Sequence, residues 1–422
     1  MFRFFFGLIM FFETAGAVAI GWVKDFYIDP KFTFSFIGFE WLQPLPGYWI
    51  YAVFLTMSLL ALCIAFGYKY RLAITLFTIG WFYVYLIHKT SYNNHHYLMC
   101  LLLLIFCILP AHRANSLDVK QGRVKEQLWC YSWHIWIFIA LYFVVYIYAA
   151  IAKLYPDWYS GIPLDLWFAP KESRWLIGGF YASEIAPLLF AWGGIVFDFL
   201  VIPAMIWKPT RKTAFIISIL FHLGNSLTFE IGTFPYLMIF SAVLFFEPEQ
   251  VQRIFLKKRG ECNLPELLGT RKHTMTAILL SGFFAIQILL PLRQHAFTGN
   301  TFWTEEGHRL SWRMMLKVKR GRASFNIEDS HGKRIVHDPL EHLTRSQFYT
   351  MSTHPDMIWQ YVQYLKSFYG NEISVHVRSI VQINRGKRAN LIDPSVDLSK
   401  EEWNRFSHHD WIAEFPGWIS PE

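Results

Sequence analysis

Lys153 lies in Ala149-Ala-Ile-Ala-Lys-Leu-Tyr-Pro-Asp-Trp-Tyr-Ser-Gly161, at the end of an apolar stretch that Pro156 stops. A lysine in that position has two uses. It can snorkel, laying its stem along apolar surface and its ammonium among headgroups. Held instead in a dry cavity, it becomes a base: an amine that titrates near ~10.4 in water loses its charge more readily when desolvated, and can then take a proton. A second cluster, Lys89-Thr-Ser-Tyr-Asn-Asn-His-His-Tyr97, sets Asn94 and His95 at the mouth of two apolar stretches. It reads as an interfacial loop, with Tyr92 and Tyr97 in an aromatic belt, or as the polar lining of a cavity. It does not read as a metal site. His95 and His96 are consecutive and point apart on a helix, and neither HExxH nor a carboxylate at ligand spacing accompanies them.

Phe221-His-Leu-Gly-Asn-Ser-Leu-Thr-Phe-Glu-Ile-Gly-Thr-Phe-Pro235 places His222 three residues before Asn225 and four before Ser226, so they share one helical face. One polar stripe on an apolar helix faces a bundle interior or a wet cavity, or forms an interhelical hydrogen-bond seam, here to Asp198 or Glu13. Near the end of the chain, Trp303-Thr-Glu-Glu-Gly-His-Arg-Leu-Ser-Trp-Arg-Met-Met315 precedes Lys317, Lys319 and Arg320. Trp312, Met314 and Met315 beside basic groups suit an adaptable apolar pocket next to an anion site. A half-buried strand with a solvated edge accounts for the same residues.

The elements that must hold these groups are membrane helices. Apolar residues make up 54% of the 422 and charged residues 17%, so the charged surface of a soluble protein is missing. Up to Leu292 the apolar residues fall in blocks mostly near 20 residues, enough to cross roughly 30 Å of hydrocarbon. Nine spans are predicted: Phe2–Val23, Trp49–Gly67, Leu72–His88, Tyr97–Pro110, Leu128–Ala152, Pro187–Ile206, Thr213–Phe229, Phe234–Phe246 and Thr274–Leu292. Ala15-Gly-Ala17 after a Phe-rich start also fits a signal-peptide cleavage site. Residues 293–422 read as a separate α+β domain. Arg313–Ile327 alternates like a strand, Glu328-Asp-Ser-His-Gly332 is a turn, Met357–Phe368 is an amphipathic helix and Glu372–Ile383 is a second strand. Pro416 and Pro421 mark an irregular end.

The net charge of +8 invites a nucleic-acid reading, but the basic residues of the first 292 lie in short connections, where they set orientation. One set of connections holds Lys69, Arg71, Arg113, Lys120, Arg123, Lys125, Lys208, Arg211, Lys212, Arg253, Lys257, Lys258, Arg259, Arg271 and Lys272. The alternate set holds Lys24, Lys31, Lys89, Lys153, Lys171 and Arg174. Fifteen against six puts the first set in the cytoplasm and the C-terminal domain outside. That count depends on Phe234–Phe246, only 13 residues long, being a true crossing. Cys63, Cys100, Cys107, Cys130 and Cys262 form neither a disulfide framework nor a zinc spacing.

Taken in order, several segments resemble the vitamin K-dependent gamma-carboxylase family, proteins with a horizontally transferred transmembrane domain. They are Arg3-Phe-x-Phe-Gly7, Leu42-x-Pro-Leu-Pro46, Lys89-Thr-Ser-Tyr-Asn-Asn-His95, Lys153-Leu-x-x-Asp-Trp158 with Gly161, Phe221-His-x-x-Asn-Ser226 with Ile231-Gly-x-Phe234, and Ser311-Trp-x-Met-Met315. They span nearly the whole chain. The resemblance implies an enzyme that uses vitamin K hydroquinone, O2 and CO2, without a metal, to carboxylate glutamate side chains while forming the quinone epoxide. By position, Lys153 matches the lysine that deprotonates the hydroquinone and His95 the histidine that assists at the carbanion stage. Asn94, His222, Asn225, Trp312, Met314 and Met315 would shape the quinone site, and His308, Lys317 and Lys319 would meet the acidic substrate. The implied partners are the bilayer, a lipid quinone and a glutamate-containing peptide, with no nucleic acid.

The chain departs from animal members of the family. Those continue into longer lumenal segments and carry a cysteine pair that has no counterpart here. His308 replaces a tyrosine, and Lys317 and Lys319 replace histidine and arginine. With no N-glycosylation sequon, the expectation is a short bacterial-type homologue in an inner membrane with a periplasmic domain; in a eukaryote the place would be the endoplasmic reticulum. Two other functions stay open: a quinone epoxidase that does not carboxylate, and a non-enzymatic lipid or quinone binder or scaffold. No inverted repeat or pair of broken helices supports a transporter.

Overall fold

The structure, a computed structural model, describes residues 1–175, 177–229, 231–255 and 271–418. Lys257, Lys258, Arg259 and Cys262, Glu230 of the polar-stripe motif, and Pro421 lie outside the described residues. Among the described residues, nine principal helices precede the sheet: α1 (Phe2–Ala19), α2 (Trp49–Phe66), α3 (Tyr70–Leu86), α4 (Asn94–Ile108), α5 (Trp133–Ala152), α6 (Ile185–Ile206), α7 (Arg211–Phe229), α8 (Phe234–Ser241) and α9 (Arg271–Leu292). Five are long and apolar enough to cross a membrane: α1, α2, α5, α6 and the stretch Thr274–Ala296 that includes most of α9. Tyr70–Leu86, Asn94–Ile108 and Phe234–Phe245 are apolar but shorter. In α7 the polar groups dilute the apolar run.

Local chemistry sets the ends that matter for the site. Asn93 caps α4 by accepting the His96 amide at 2.8 Å, which places Asn94, His95 and His96 in the first turn. α5 stops at Ala152 because Pro156, which cannot continue a helix, opens the short helix Pro156–Tyr159; Lys153 is the capping residue between them. α1 and α2 pack closely because Gly7 has no side chain. A Cβ there would fall 2.5 Å from the backbone nitrogen of Ala65. Gly7→Ala is therefore expected to push the two helices apart at a cost of about 1–3 kcal/mol, read as a lower apparent Tm of the purified protein with the oligomeric state unchanged.

Beyond the helices, β1 (Lys319–Glu328), β2 (Arg334–His337), β3 (Ser374–Ile383) and β4 (Ala389–Asn390) form an antiparallel sheet in the order β2-β1-β3-β4. Alternation sets the buried face: Ala323, Phe325 and Ile327 of β1 lie beside Val375, Val377 and Val381 of β3. Between β2 and β3 come α10 (Arg345–Met351), opened by a Thr344–Gln347 capping box, and α11 (Pro355–Tyr369). α11 buries Met357, Ile358, Tyr361, Val362 and Leu365 in the core that also contains the inner face of the sheet. Phe34, Tyr155, Trp158, Leu164 and Phe168, from connections of the helical part, complete that core and so dock the sheet on the helices.

The strand expected from Arg313 begins only at Lys319. The segment before it cannot be extended, because Glu305 (φ 60), Leu310 (φ 61), Trp312 (φ 56) and Met315 (φ 46) all have left-handed backbone. Four such residues within eleven, none of them glycine, are a concentration of backbone strain of the sort found at functional sites.

Candidate functional site

Three cavities meet at the N-terminus of α4, and His95 and Met315 line all of them. The first, of about 390 Å³, is mostly apolar and is bounded by Lys153, Trp158, Gly193, Gly194, Asp198, His222, Asn225, Phe234, Met314 and others. Lys153, at the end of α5, is not in open solvent; its side chain is 12% exposed. Its amine donates to the Ala149 carbonyl at 3.2 Å, forms an ion pair with Asp198 and lies 5.7 Å from the Trp158 ring centre. Gly194 lies against its stem, where an added Cβ would make an ordinary contact 3.8 Å from the lysine's Cε. His95 stacks on Phe234 with ring centres 3.8 Å apart.

His222 joins this wall with a different partner from the two expected. Its Nε2 is 2.9 Å from the Tyr146 hydroxyl, and its Nδ1 is buried without a partner. The expected seam to Asp198 or Glu13 does not form, because Asp198 pairs with Lys153 and Glu13 with His96 and Thr233. Asn94 and Trp312 fall outside the first cavity. The Asn94 amide donates to the Arg313 carbonyl at 2.9 Å and its oxygen accepts from Tyr92, which pins the Arg313 backbone to the Asn-Asn-His loop. Trp312 is fully buried in the helix core against Tyr97, with ring centres 4.9 Å apart.

A second chamber, of about 510 Å³, lies toward the sheet and contains the expected substrate residues. Its wall has five basic side chains, Lys89, Arg309, Arg313, Lys317 and Lys319, and one carboxylate, Glu305. Lys317 and Lys319 both donate to Glu305 Oε1, at 2.5 and 2.8 Å. Burial works against the Glu305 carboxylate, but these two ammoniums hold it ionised, well below the usual range. Burial brings Lys317 down to about 7 against the pull of Glu305, and Lys319 shifts in the same direction. His308 Nδ1 lies 2.5 Å from the Glu305 carbonyl, and His354 Nδ1 2.7 Å from that of Thr350. Burial holds His354 down near 4, so it is neutral at pH 7.

Glu305, His308 and His354 bring three donor atoms within 4.8 Å of one another. As a cation site the set is poor. Lys317 and Lys319 already neutralise Glu305, and a divalent ion would enter against the surrounding ammonium and guanidinium charge. The same charge suits a carboxylate.

Behind the chamber, Asp356 at the start of α11 accepts from Lys89 and Arg309, each at 2.7 Å. Burial alone would raise this carboxyl; Arg309 and Lys89 pull it far below its usual range. Burial lowers Lys89 to about 8. The triad locks the loop before α4 to the sheet-bearing part.

Asp198, Tyr146, Glu305 and His354 were not among the residues singled out for the site. Asp198 is the lone acidic residue in the 22 residues of α6, and a carboxylate in such a stretch is itself a functional signal. His354 carries no motif and reaches the chamber only through the packing of α10 and α11.

Comparison with protein families adds two matches. Residues 1–249 match the family model for the HTTM domain, and residues 272–417 match that for the vitamin K-dependent gamma-carboxylase lumenal domain. No solved structure matches the chain.

Proposed function

The chain belongs to the vitamin K-dependent gamma-carboxylase family, and on that premise we propose that it oxygenates vitamin K hydroquinone to the epoxide and couples this to CO2 addition at glutamate side chains. The observation that carries the reading is the meeting, at His95 and Met315, of an apolar cavity containing Lys153 with a cationic chamber containing Lys317 and Lys319. The first cavity fits a quinone ring. Its wall is apolar except for a few groups able to meet ring oxygens: Lys153, Asp198, Asn225, and His222 with its unpartnered nitrogen. Leu189, Leu220 and Ile217 in the same wall are exposed on the outer surface of the helices, where an isoprenoid tail would leave toward lipid.

When bound, vitamin K hydroquinone with O2 supplies the strong base that glutamate carboxylation needs. The chain's residues handle protons and position. Lys153 and Asp198 share one proton across their ion pair; with that proton on Asp198, the free Lys153 amine takes a hydroxyl proton from the ring. His95 stands between the ring and the chamber, while Lys317, Lys319 and His308 orient the incoming carboxylate. Membrane crossings within residues 1–292, nine in number, and an extracytoplasmic domain over 293–422 would deliver quinone from the bilayer and peptide from outside, and the apolar wall would exclude water from the reacting groups.

The test is epoxide formation by the purified protein in lipid nanodiscs with reduced vitamin K, alongside labelled CO2 and a Glu-containing peptide. Epoxide with label in the peptide supports the reading; no epoxide overturns it. A second reading, epoxidation without carboxylation, has one observation in its favour. Glu305 already places a carboxylate on both Lys317 and Lys319, where a substrate carboxylate would bind. Epoxide without label would establish that reading.

The chamber also predicts a pH dependence. Lys317 titrates near 7, so its charged fraction falls as pH rises through that value. The KM for a Glu peptide is expected to increase across neutrality, and Lys317→Arg, which stays charged, to flatten the rise.

A further inference from the structure

The third cavity, of about 570 Å³, has no part in the chemistry described so far. It lies across His95, Phe234 and Ile231 from the first, and includes Gly16, Ala17 and Ile20 at the last turn of α1, where Ile20 is 77% exposed. Glu13 projects into it from α1. Its Oε1 is 3.2 Å from His96 Nε2, and its Oε2 accepts from the Thr233 hydroxyl at 2.5 Å. The other nitrogen of His96 lies 3.4 Å from the Asn93 side-chain amide; the amide is a donor, so the imidazole proton is on Nε2 and points at Glu13. His96 and Glu13 remain partly open to the cavity, with side chains 21% and 25% exposed.

The opposite wall is unusual. Both ring nitrogens of His88, the Tyr85 hydroxyl and the Ser91 hydroxyl are buried with no hydrogen-bond partner, and all three residues line this cavity. An unsatisfied buried polar group costs about 1–3 kcal/mol; these four atoms sit just behind the cavity surface, and the polar groups open to it are His96 and Glu13. The space is large enough to hold water. The other titratable groups facing the dyad are His88 beyond α3, His95 on α4, and the phenols Tyr27, Tyr85 and Tyr92; among the described residues lining the cavity, Glu13 is the one carboxylate and there is no lysine or arginine. A lone carboxylate and a histidine on membrane-depth helices, facing a wettable cavity, are the parts of a proton path.

We propose that Glu13 and His96 relay protons between the His95 side of the reaction cavity and the outer surface through this third cavity. The need for such a path rests on the carboxylase reading. Breaking a glutamate C–H bond and forming the C–C bond to CO2 releases one proton per turnover. The hydroquinone gives its two hydrogens to O2, yielding epoxide and water. That proton must leave a site that otherwise excludes water. Glu13 and His96 move a proton without touching the reacting atoms.

The experiment uses the full chain in nanodiscs and has two arms. In the first, carboxylation by Glu13→Gln and by His96→Ala is expected to fall roughly 10²-fold, with the KM for quinone little changed, a larger solvent isotope effect and partial recovery of His96→Ala by added imidazole. Wild-type rates with an unchanged isotope effect in both variants would overturn the relay. The second arm needs no turnover. The His96 imidazole N–H, identified by the signal that His96→Ala removes from the infrared or 15N spectrum, should exchange in D2O within mixing time, and an N–H that does not exchange means a dry cavity and no relay. A wild-type protein that makes no epoxide overturns the enzymatic reading by itself, and the exchange result still decides the path.

Discussion

Lys153→Ala is expected to lower epoxide formation by about 10²–10⁴-fold, the span over which a positioned proton acceptor acts. Three contacts hold the amine at its place in the cavity wall: Asp198, the Ala149 carbonyl and the Trp158 ring. The wall around it is formed mainly by Val145, Leu189, Phe190, Phe197 and Phe221, which the substitution leaves intact, so quinone affinity should change little. Chromatography of epoxide against time, with quinone binding measured on the same preparation, checks both halves. Turnover equal to wild type would remove Lys153 from the chemistry. The substitution also strands a buried carboxylate, a loss that in other proteins costs about 3–5 kcal/mol. Lys153→Ala with Asp198→Ala removes both charges and separates lost chemistry from lost folding: it should be more stable than the single variant and equally inactive.

Asp356→Ala should have the largest effect on stability. Its carboxylate is the shared partner of Lys89, whose side chain is 1% exposed, and of Arg309, at 15%. Removing it leaves two cations facing each other in a desolvated space, a loss of about 3–5 kcal/mol. The cost should appear as a large drop in apparent Tm and as protease sensitivity between the helices and the sheet, because this triad joins them. Replacing the whole triad by apolar residues (Lys89→Met, Arg309→Met and Asp356→Leu) should recover much of the loss, since no unpaired charge remains. If Asp356→Ala melts with wild type, the triad does not hold the two parts together.

Of the nine spans expected from the chain, five are helices long and apolar enough to cross a membrane among the described residues; these were legible because an apolar run of about 20 residues has few other uses. The amphipathic helix before β3 and the turn after β1 were equally plain, since periodicities of 3.6 and 2 depend only on neighbours in sequence. Lys153, His95 and His222 stood out in the sequence for a related reason: a polar group at membrane depth is costly wherever the chain takes it. Their partners did not. Asp198 lies 45 residues from Lys153, and Tyr146 lies 76 from His222. Each pairing depends on which helix faces meet, and the apolar pattern leaves that undetermined because most faces of these helices are apolar.

The segment 305–316 shows the same limit from the other side. Alternation from Arg313 suggested a strand, yet the strand begins only at Lys319, and Glu305, Leu310, Trp312 and Met315 have left-handed backbone that local preference alone would not choose. Residue chemistry and spacing along the chain thus settled the membrane character, the family and the short roll of groups able to do chemistry. Which of those groups share a cavity was decided by packing: α1, α4, α5, α6 and α7 converge beneath the sheet and bring distant polar side chains into one low-dielectric space, where each must find a partner or a proton.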